Sequence, residues 1–313
     1  MKRSSPVKVM TVFGTRPEAI KMAPVVQSLL AHPEIETKVC LTAQHREMLD
    51  QVVDLFKLPV DYDLDIMRSG QSLYDITSRV LRGLEEVLEK EKPDYVLVHG
   101  DTTTTFTASL AAFYKQIKVG HVEAGLRTYD MLSPWPEEMN RQVTDRICTY
   151  YFAPTGQSRQ NLLRENIEEK KIFVTGNTVI DALLMAVDII ATKMGMEEQI
   201  HKEIQEKGYT VGERDYILVT GHRRENFGEG FLHICKAIRE LASQYPDIDI
   251  VYPVHLNPNV QKPVYELLSG LDNVFLISPL DYLPFIYAMQ HSLLLLTHSG
   301  GAVSYTHLRA HEP

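Results

Sequence analysis

Short runs rich in β-branched residues alternate with longer amphipathic stretches along most of the chain. Val7–Phe13, Glu36–Thr42, Tyr95–His99, Val119–Val122, Tyr150–Ala153 and Ile172–Thr175 read as strands. Between them, apolar residues recur at helical spacing over Pro17–Ala31, His45–Phe56, Gln71–Glu91, Thr103–Tyr114, Pro136–Ile147 and Gly156–Glu165. Ile180, Leu183, Leu184, Val187 and Ile190 mark one more helix. It leads into a Glu- and Lys-rich segment, Lys193–Arg214, with no clear apolar run, which reads as a solvated helix or a link. The alternation then restarts with Tyr216–Thr220, Ile248–Tyr252, Val274–Ile277 and Leu293–Thr297. Such alternation predicts an α/β protein with two doubly wound, mostly parallel sheets. The chain should divide between Thr178 and Arg214. In open α/β sheets ligands collect beyond the carboxyl ends of the strands, so the chemistry is sought there.

Composition narrows this picture. At 313 residues the chain is long enough for two cores, and its 44% hydrophobic fraction is ordinary for globular domains. A formal net charge of -9 argues against a nucleic-acid backbone as the main partner. Cys40, Cys148 and Cys235 lie far apart without CxxC spacing, which suits neither a disulfide framework nor a zinc site. A reducing compartment fits them. Val7–Phe13 is too short for a signal h-region and Leu293–Leu296 too short to span a bilayer, so the expected location is cytoplasmic, with no membrane partner.

Candidate chemistry sits at the ends of the strands. The first strand runs into Gly14-Thr15-Arg16-Pro17-Glu18, with Pro17 suited to a first helical turn. The free N–H groups of that helix, with Arg16 and Lys21, suit a phosphate; a capped helix carrying surface cations is the plainer alternative. No GxGxxG follows this strand and no GxxxxGK[ST] occurs, which disfavours a dinucleotide cofactor or P-loop chemistry. Val98-His99-Gly100-Asp101 precedes four threonines, and Asp101 either caps the next helix or faces a ligand. Glu123 follows another apolar strand in His121-Val122-Glu123-Ala124-Gly125-Leu126-Arg127. In Pro136-Glu137-Glu138-Met139-Asn140-Arg141, Glu137 and Arg141 stand four apart, the spacing of an ordinary helical ion pair. Three acids at the ends of successive strands converge on one rim. In the second half His222 with Arg223 and Arg224 suggests anion handling, and Ser299-Gly300-Gly301 presents backbone N–H groups. No HExxH spacing points to a metal.

Longer stretches carry a family resemblance: FGTRPEAIKMAP from Phe13, TAQHREMLDQV from Thr42, HGDTTTT from His99, HVEAGLR from His121, SPWPEEMNR from Ser133, SRQNLLREN from Ser158, VTGNTVIDALL from Val174, VTGHRRENFG from Val219 and VYPVHLNPNV from Val251. Over roughly Val7 to Gly301 the sequence resembles the non-hydrolysing UDP-N-acetylglucosamine 2-epimerases. The resemblance implies a GT-B-like pair of Rossmann-like domains: residues 1–177 carrying the acid/base groups and 178–301 binding the nucleotide. It implies Asp101, Glu123, Glu137 and His222 as acid/base residues, supported by Arg141. Arg16, Lys21, Phe285 (beside the uracil), Ser299, Gly300 and Gly301 are implied to contact substrate. Gln44-His45-Arg46-Glu47 resembles an allosteric segment of some members. The implied reaction is anti elimination of UDP to a glycal and re-addition after reprotonation on the other face. That chemistry is redox-neutral and calls for no cofactor. The partner is a UDP-sugar, and a homodimer is implied.

Three departures qualify the resemblance. Residues 302–313 follow no family pattern and read as an atypical, non-native tail, so the second domain is expected to be incomplete, with weakened stability and activity. His298 stands where the family has Asp, and Leu280 where some members have a glutamine. Three other readings are an epimerase for a related UDP-diacetamido uronic acid, a GT-B glycosyltransferase and an inactive UDP-binding fragment.

Overall fold

The computed structural model describes residues 5–43, 46–221 and 229–297, without the side chains of 46–48, 229 and 231. His222, His298, Ser299, Gly300, Gly301, Gln44 and His45 of the Gln44–Glu47 segment, and the 302–313 tail lie outside the described residues.

Eleven strands form two wholly parallel sheets among the described residues. The first contains β1 (Val7–Phe13), β2 (Ile35–Leu41), β3 (Tyr62–Asp63), β4 (Tyr95–His99), β5 (Lys118–Val122), β6 (Tyr150–Ala153) and β7 (Ile172–Val174). Their order is β3-β2-β1-β4-β5-β6-β7. The second contains β8 (Tyr216–Thr220), β9 (Asp249–Pro253), β10 (Val274–Ile277) and β11 (Leu294–Thr297), in the order β10-β9-β8-β11. The helices α1 (Arg16–Leu30), α2 (Arg46–Leu55), α3 (Leu73–Glu91), α4 (Thr103–Tyr114), α5 (Glu137–Ile147) and α6 (Gly156–Arg164) belong to the first half. They are followed by α7 (Thr178–Thr192), α8 (Met196–Glu206), α9 (Glu229–Gln244), α10 (Pro258–Leu268) and α11 (Tyr282–His291). The chain divides within α7 into two compact units, Met1–Ala182 and Leu183–Pro313.

In the first sheet the strand order reverses between β1 and β4. From β1 the chain moves to one side, to β2, and from β4 to the other, to β5. The carboxyl ends of β1 and β4 therefore flank a crevice, the usual ligand position in this architecture. The sequence makes those strands central because both faces are apolar. Met10 and Val12 are fully buried and join Val80, Leu84 and Ala108 in one core cluster. Helix α3 supplies that cluster through Ile76, Val80, Leu84 and Val87, and its start is fixed by a capping box between Ser72 and Asp75.

The second unit has its own switch point, between β8 and β11. There Thr220 Oγ1 donates to Thr297 Oγ1 at 2.8 Å, tying the two strand ends together. The charged segment read as a solvated helix or link contains α8, which is neither. Met196, Ile200 and Ile204 recur every four residues, and all three are buried in the second core. Three apolar residues suffice for that stripe because helix α8 shows the core only a narrow face. The two-residue edge strand β3 carries too little pattern to be foreseen. The three cysteines are buried and unpaired. No helix among the described residues is long and apolar enough to cross a membrane.

Candidate active site

At the end of β1 the backbone leaves no room for a side chain. A Cβ on Gly14 would stand 1.9 Å from Thr42 Oγ1, so only glycine lets the turn lie against β2 and α4. Thr15 caps α1 and forms a full capping box with Glu18. This orients the first-turn N–H groups of α1 toward the crevice, with half-buried Arg16 opening the helix and Lys21 one turn along.

The end of β4 removes one of the two readings of Asp101. Thr102, not Asp101, caps α4 by accepting from the Thr105 N–H. The aspartate is thereby free of capping, and Arg141 Nη2 donates to its Oδ2 at 2.7 Å. Asn140 Nδ2 holds the Asp101 carbonyl at 2.9 Å. The helical ion pair suggested by the spacing of Glu137 and Arg141 is not what forms: Arg141 also reaches buried Glu138, at 3.5 Å. Helix α5 packs on α4, and that packing turns Arg141 toward the strand end. Glu137 remains half-buried in the first turn of α5. Burial pushes the Asp101 carboxyl above its ordinary range; Arg141 opposes this, while the charges of Glu123 and Glu137 add to it.

Glu123 follows the neighbouring strand β5 and sits in the left-handed region, φ 69°. That conformation costs a non-glycine residue on the order of 1–2 kcal/mol, and such strain concentrates at functional sites. The Glu123 N–H bonded to the Phe152 carbonyl at 3.0 Å helps to hold it. Lys21 Nζ donates to Glu123 Oε1 at 2.6 Å, and Asn177 Nδ2 donates to the same oxygen at 3.4 Å. On the other side His99 Nε2 lies 3.6 Å from Oε2. His99 is buried, burial pushes it down to about 3, and among the described residues neither ring nitrogen has a hydrogen-bond partner. Burial opposes charge on Glu123 as well, but the neighbouring His99 and Lys21 prevail and hold its carboxyl below the ordinary value. Two carboxylates on adjacent strands are thus driven in opposite directions, the usual way one site comes to hold both an acid and a base.

A fully buried charge network supports this pair. His121 Nδ1 donates to Asp145 at 2.6 Å and its Nε2 to the Gly100 carbonyl at 2.7 Å. Both partners are acceptors, so the ring needs both protons. Burial pulls the His121 pKa down, but Asp145 and the Gly100 carbonyl outweigh it and hold the imidazole above its ordinary value. Asp145 also accepts from Arg127 Nη2 at 2.7 Å and the Gly125 N–H at 3.2 Å, and Arg127 Nε bonds Glu165 at 2.7 Å. Gly125 has φ +83°, and a Cβ there would stand 2.4 Å from the Ser158 carbonyl oxygen. The network therefore fixes both turns, Gly100–Asp101 and Glu123–Gly125.

The structure thus brings Arg16, Lys21, Asp101, Glu123, Glu137 and Arg141 to the carboxyl end of the first sheet. Phe285 belongs to the second unit, half-buried on α11 and packed against that unit's core. Sequence reasoning gave no role to Glu18, His99, His121, Glu138 or Asp145. Its one available signal was polar residues in apolar surroundings: His99 and His121 lie inside strands whose neighbours are buried.

Comparison with known proteins supplies the family. The model of the family described as UDP-N-acetylglucosamine 2-epimerase matches residues 27–306. The UDP-N-acetylglucosamine 2-epimerase of Yersinia pestis is 59% identical over 295 residues, which is 94% of this chain and 78% of that protein. The enzyme of the same name from Escherichia coli K12 is 57% identical over the same shares of both chains. Among solved structures, the Neisseria meningitidis UDP-GlcNAc 2-epimerase bound to UDP-GlcNAc superposes with a TM-score of 0.84 at 55% identity, covering 94% of this chain and 78% of that one. The fold is GT-B-like, as in these relatives.

Proposed function

The chain belongs to the UDP-N-acetylglucosamine 2-epimerase family, and from that premise we propose that it interconverts UDP-GlcNAc and UDP-ManNAc by inverting C2 of the sugar. The observation that carries the chemistry is the pair Asp101 and Glu123, on neighbouring strands and pushed apart in proton affinity. A lowered pKa keeps a carboxylate ionised and so free to accept a proton, at some cost in intrinsic basicity, and a raised pKa keeps a proton available to deliver. Glu123 accordingly removes the C2 proton. The C2–H electrons form the C1=C2 bond, and the C1–O bond breaks toward the UDP oxygen. Asp101 delivers a proton to the opposite face of C2 as UDP adds back to C1, and the reverse direction exchanges the two roles. Glu137 adds a third carboxylate beside Asp101, and Arg141 positions Asp101.

Stabilising the departing diphosphate needs cations or N–H donors. In the first unit we assign this role to Arg16, at the start of α1, and to Lys21. His222 and Ser299-Gly300-Gly301 come after β8 and β11 in the chain, the strands of the second switch point, and we assign them to the diphosphate, with Phe285 beside the base. In this reading residues 1–177 act on the sugar and residues 178–301 hold the nucleotide. The three buried, unpaired cysteines suit a reducing compartment, and we place the protein in the cytoplasm.

The test is incubation with UDP-GlcNAc in D₂O followed by NMR. Deuterium at C2 is expected to appear together with UDP-ManNAc. A glycosyltransferase would leave C2 unlabelled, an inactive UDP-binding fragment would leave the sugar unchanged, and activity confined to a UDP-diacetamido uronic acid would relocate the substrate.

We also propose a homodimer. Tyr74, Phe113 and Tyr114 are exposed on α3 and α4, two helices that pack together in the first unit and could supply apolar contacts to a second copy. Light scattering behind size-exclusion chromatography should give twice the 35.7 kDa chain mass, and a monomer mass would contradict it.

A further inference from the structure

We propose that Glu18 is a positioning residue for the epimerisation. One buried carboxylate ties the turn after β1 to the turn after β4, and so fixes Arg16 and Asp101 relative to one another. The proposal rests on the reading of this site as an epimerase site.

Glu18 is 2% exposed and accepts five hydrogen bonds. Oε2 takes the Gly14 N–H at 3.0 Å, the Thr15 N–H at 2.8 Å and the Thr15 hydroxyl at 2.8 Å. That half is the capping box of α1 and would be satisfied without any tertiary partner. Oε1 is different. It accepts from the Thr102 hydroxyl at 2.6 Å and the Thr105 hydroxyl at 3.1 Å, both on the turn that begins α4. Thr15 directly precedes Arg16 and Thr102 directly follows Asp101, so each oxygen of this carboxylate is one residue from a candidate active-site group. The Thr105 hydroxyl also lies 2.5 Å from the His99 carbonyl, so its single proton is shared between that oxygen and Glu18. Burying a carboxylate is costly, and a capping box does not require it. The second set of bonds gives the burial a purpose.

The chemistry of the donors predicts how each substitution fails. Backbone N–H groups of Gly14 and Thr15 can only donate, whereas threonine hydroxyls can also accept. In Glu18→Gln the amide oxygen therefore keeps the Gly14–Thr15 side, and the amide NH₂ faces Thr102 and Thr105. That variant should hold the β1 turn and loosen the β4 turn. Glu18→Ala should loosen both.

The experiment pairs turnover of UDP-GlcNAc with amide hydrogen exchange on the same proteins. For Glu18→Gln, kcat is expected to fall about 10²-fold with KM little changed, as for a catalytic group misplaced by about an ångström. Amides of residues 101–105 should exchange faster while Gly14 and Thr15 keep their protection. For Glu18→Ala, kcat should fall, KM should rise and both turns should lose protection. A folded Glu18→Gln protein with wild-type kcat, or with unchanged protection at 101–105, would overturn the proposal. If Glu18→Ala does not fold, the glutamine variant alone decides. Absence of turnover in the wild-type protein would strike at the proposed function instead, and the hydrogen-exchange comparison would still test the tie.

Discussion

Glu123→Gln is expected to abolish deuterium incorporation at C2 of UDP-GlcNAc while leaving UDP binding intact. The amide is nearly isosteric, so the Lys21 and Asn177 side of the turn keeps an oxygen acceptor. What disappears is the lone pair that takes the C2 proton. General acid–base groups contribute about 10²–10⁴-fold, and the loss of exchange should fall in or beyond that range. Asp101→Asn is expected to act as strongly, because it removes the proton carrier of the opposite face and leaves the Arg141 guanidinium without the nearer of its two carboxylates. Glu137→Gln should also abolish exchange. Exchange measured by NMR, with UDP affinity from calorimetry on the same samples, separates chemistry from binding. Undiminished exchange in all three variants would sink the assignment. The acid limb of the wild-type pH profile should lie below the ordinary glutamate value, because Glu123 must be ionised and its environment holds its pKa down.

Asp145→Asn is expected to produce the largest loss of stability. Asp145 has no solvent exposure and answers two buried cations, His121 and Arg127. The amide carries no charge, so His121 must give up its proton against the Gly100 carbonyl, or stay charged without a counter-ion. Removing one partner of a buried ion pair costs about 3–5 kcal/mol. At roughly 2–4 °C per kcal/mol for a domain of this size, Tm should fall by about 6–20 °C.

The pH dependence of that loss has a defined sign. His121 has a raised pKa when folded, so its contribution is complete below the ordinary histidine value near ~6.5 and fades as pH rises through the folded one. Asp145 is depressed, so its contribution holds above ~3.8 and fades as pH falls through its lower folded value. The gap in Tm between wild type and variant should therefore be widest at mildly acidic pH and narrow toward alkaline pH. Melting curves followed by circular dichroism across that range are the check. A gap under about 2 °C throughout would mean that the network carries little net free energy.

The sequence by itself determined the two-sheet α/β architecture, because a strand buried on both faces must be written as a mostly apolar run, and Val7–Phe13 is interrupted only by Lys8 and Thr11. It also placed Asp101 and Glu123 at strand ends, since Glu123 comes directly after Val122 and Asp101 is separated from its strand by Gly100 alone. Motif chemistry added Arg16, Lys21, Glu137 and Arg141 to the same end. Only the tertiary structure decided who pairs with whom. Arg141 meets Asp101 across 40 residues rather than Glu137 across four, and Lys21 meets Glu123 across 102. His121 finds Asp145 because β5 lies in register with β4, His121 opposite Val98, and α5 packs against that strand. The left-handed backbone of Glu123 and the double duty of Glu18 are likewise invisible in a linear pattern. Hydrophobic periodicity is a local signal, set by which face of one element meets the core. A charge network is a property of several elements at once, and it exists only where the register of a parallel sheet brings their ends together.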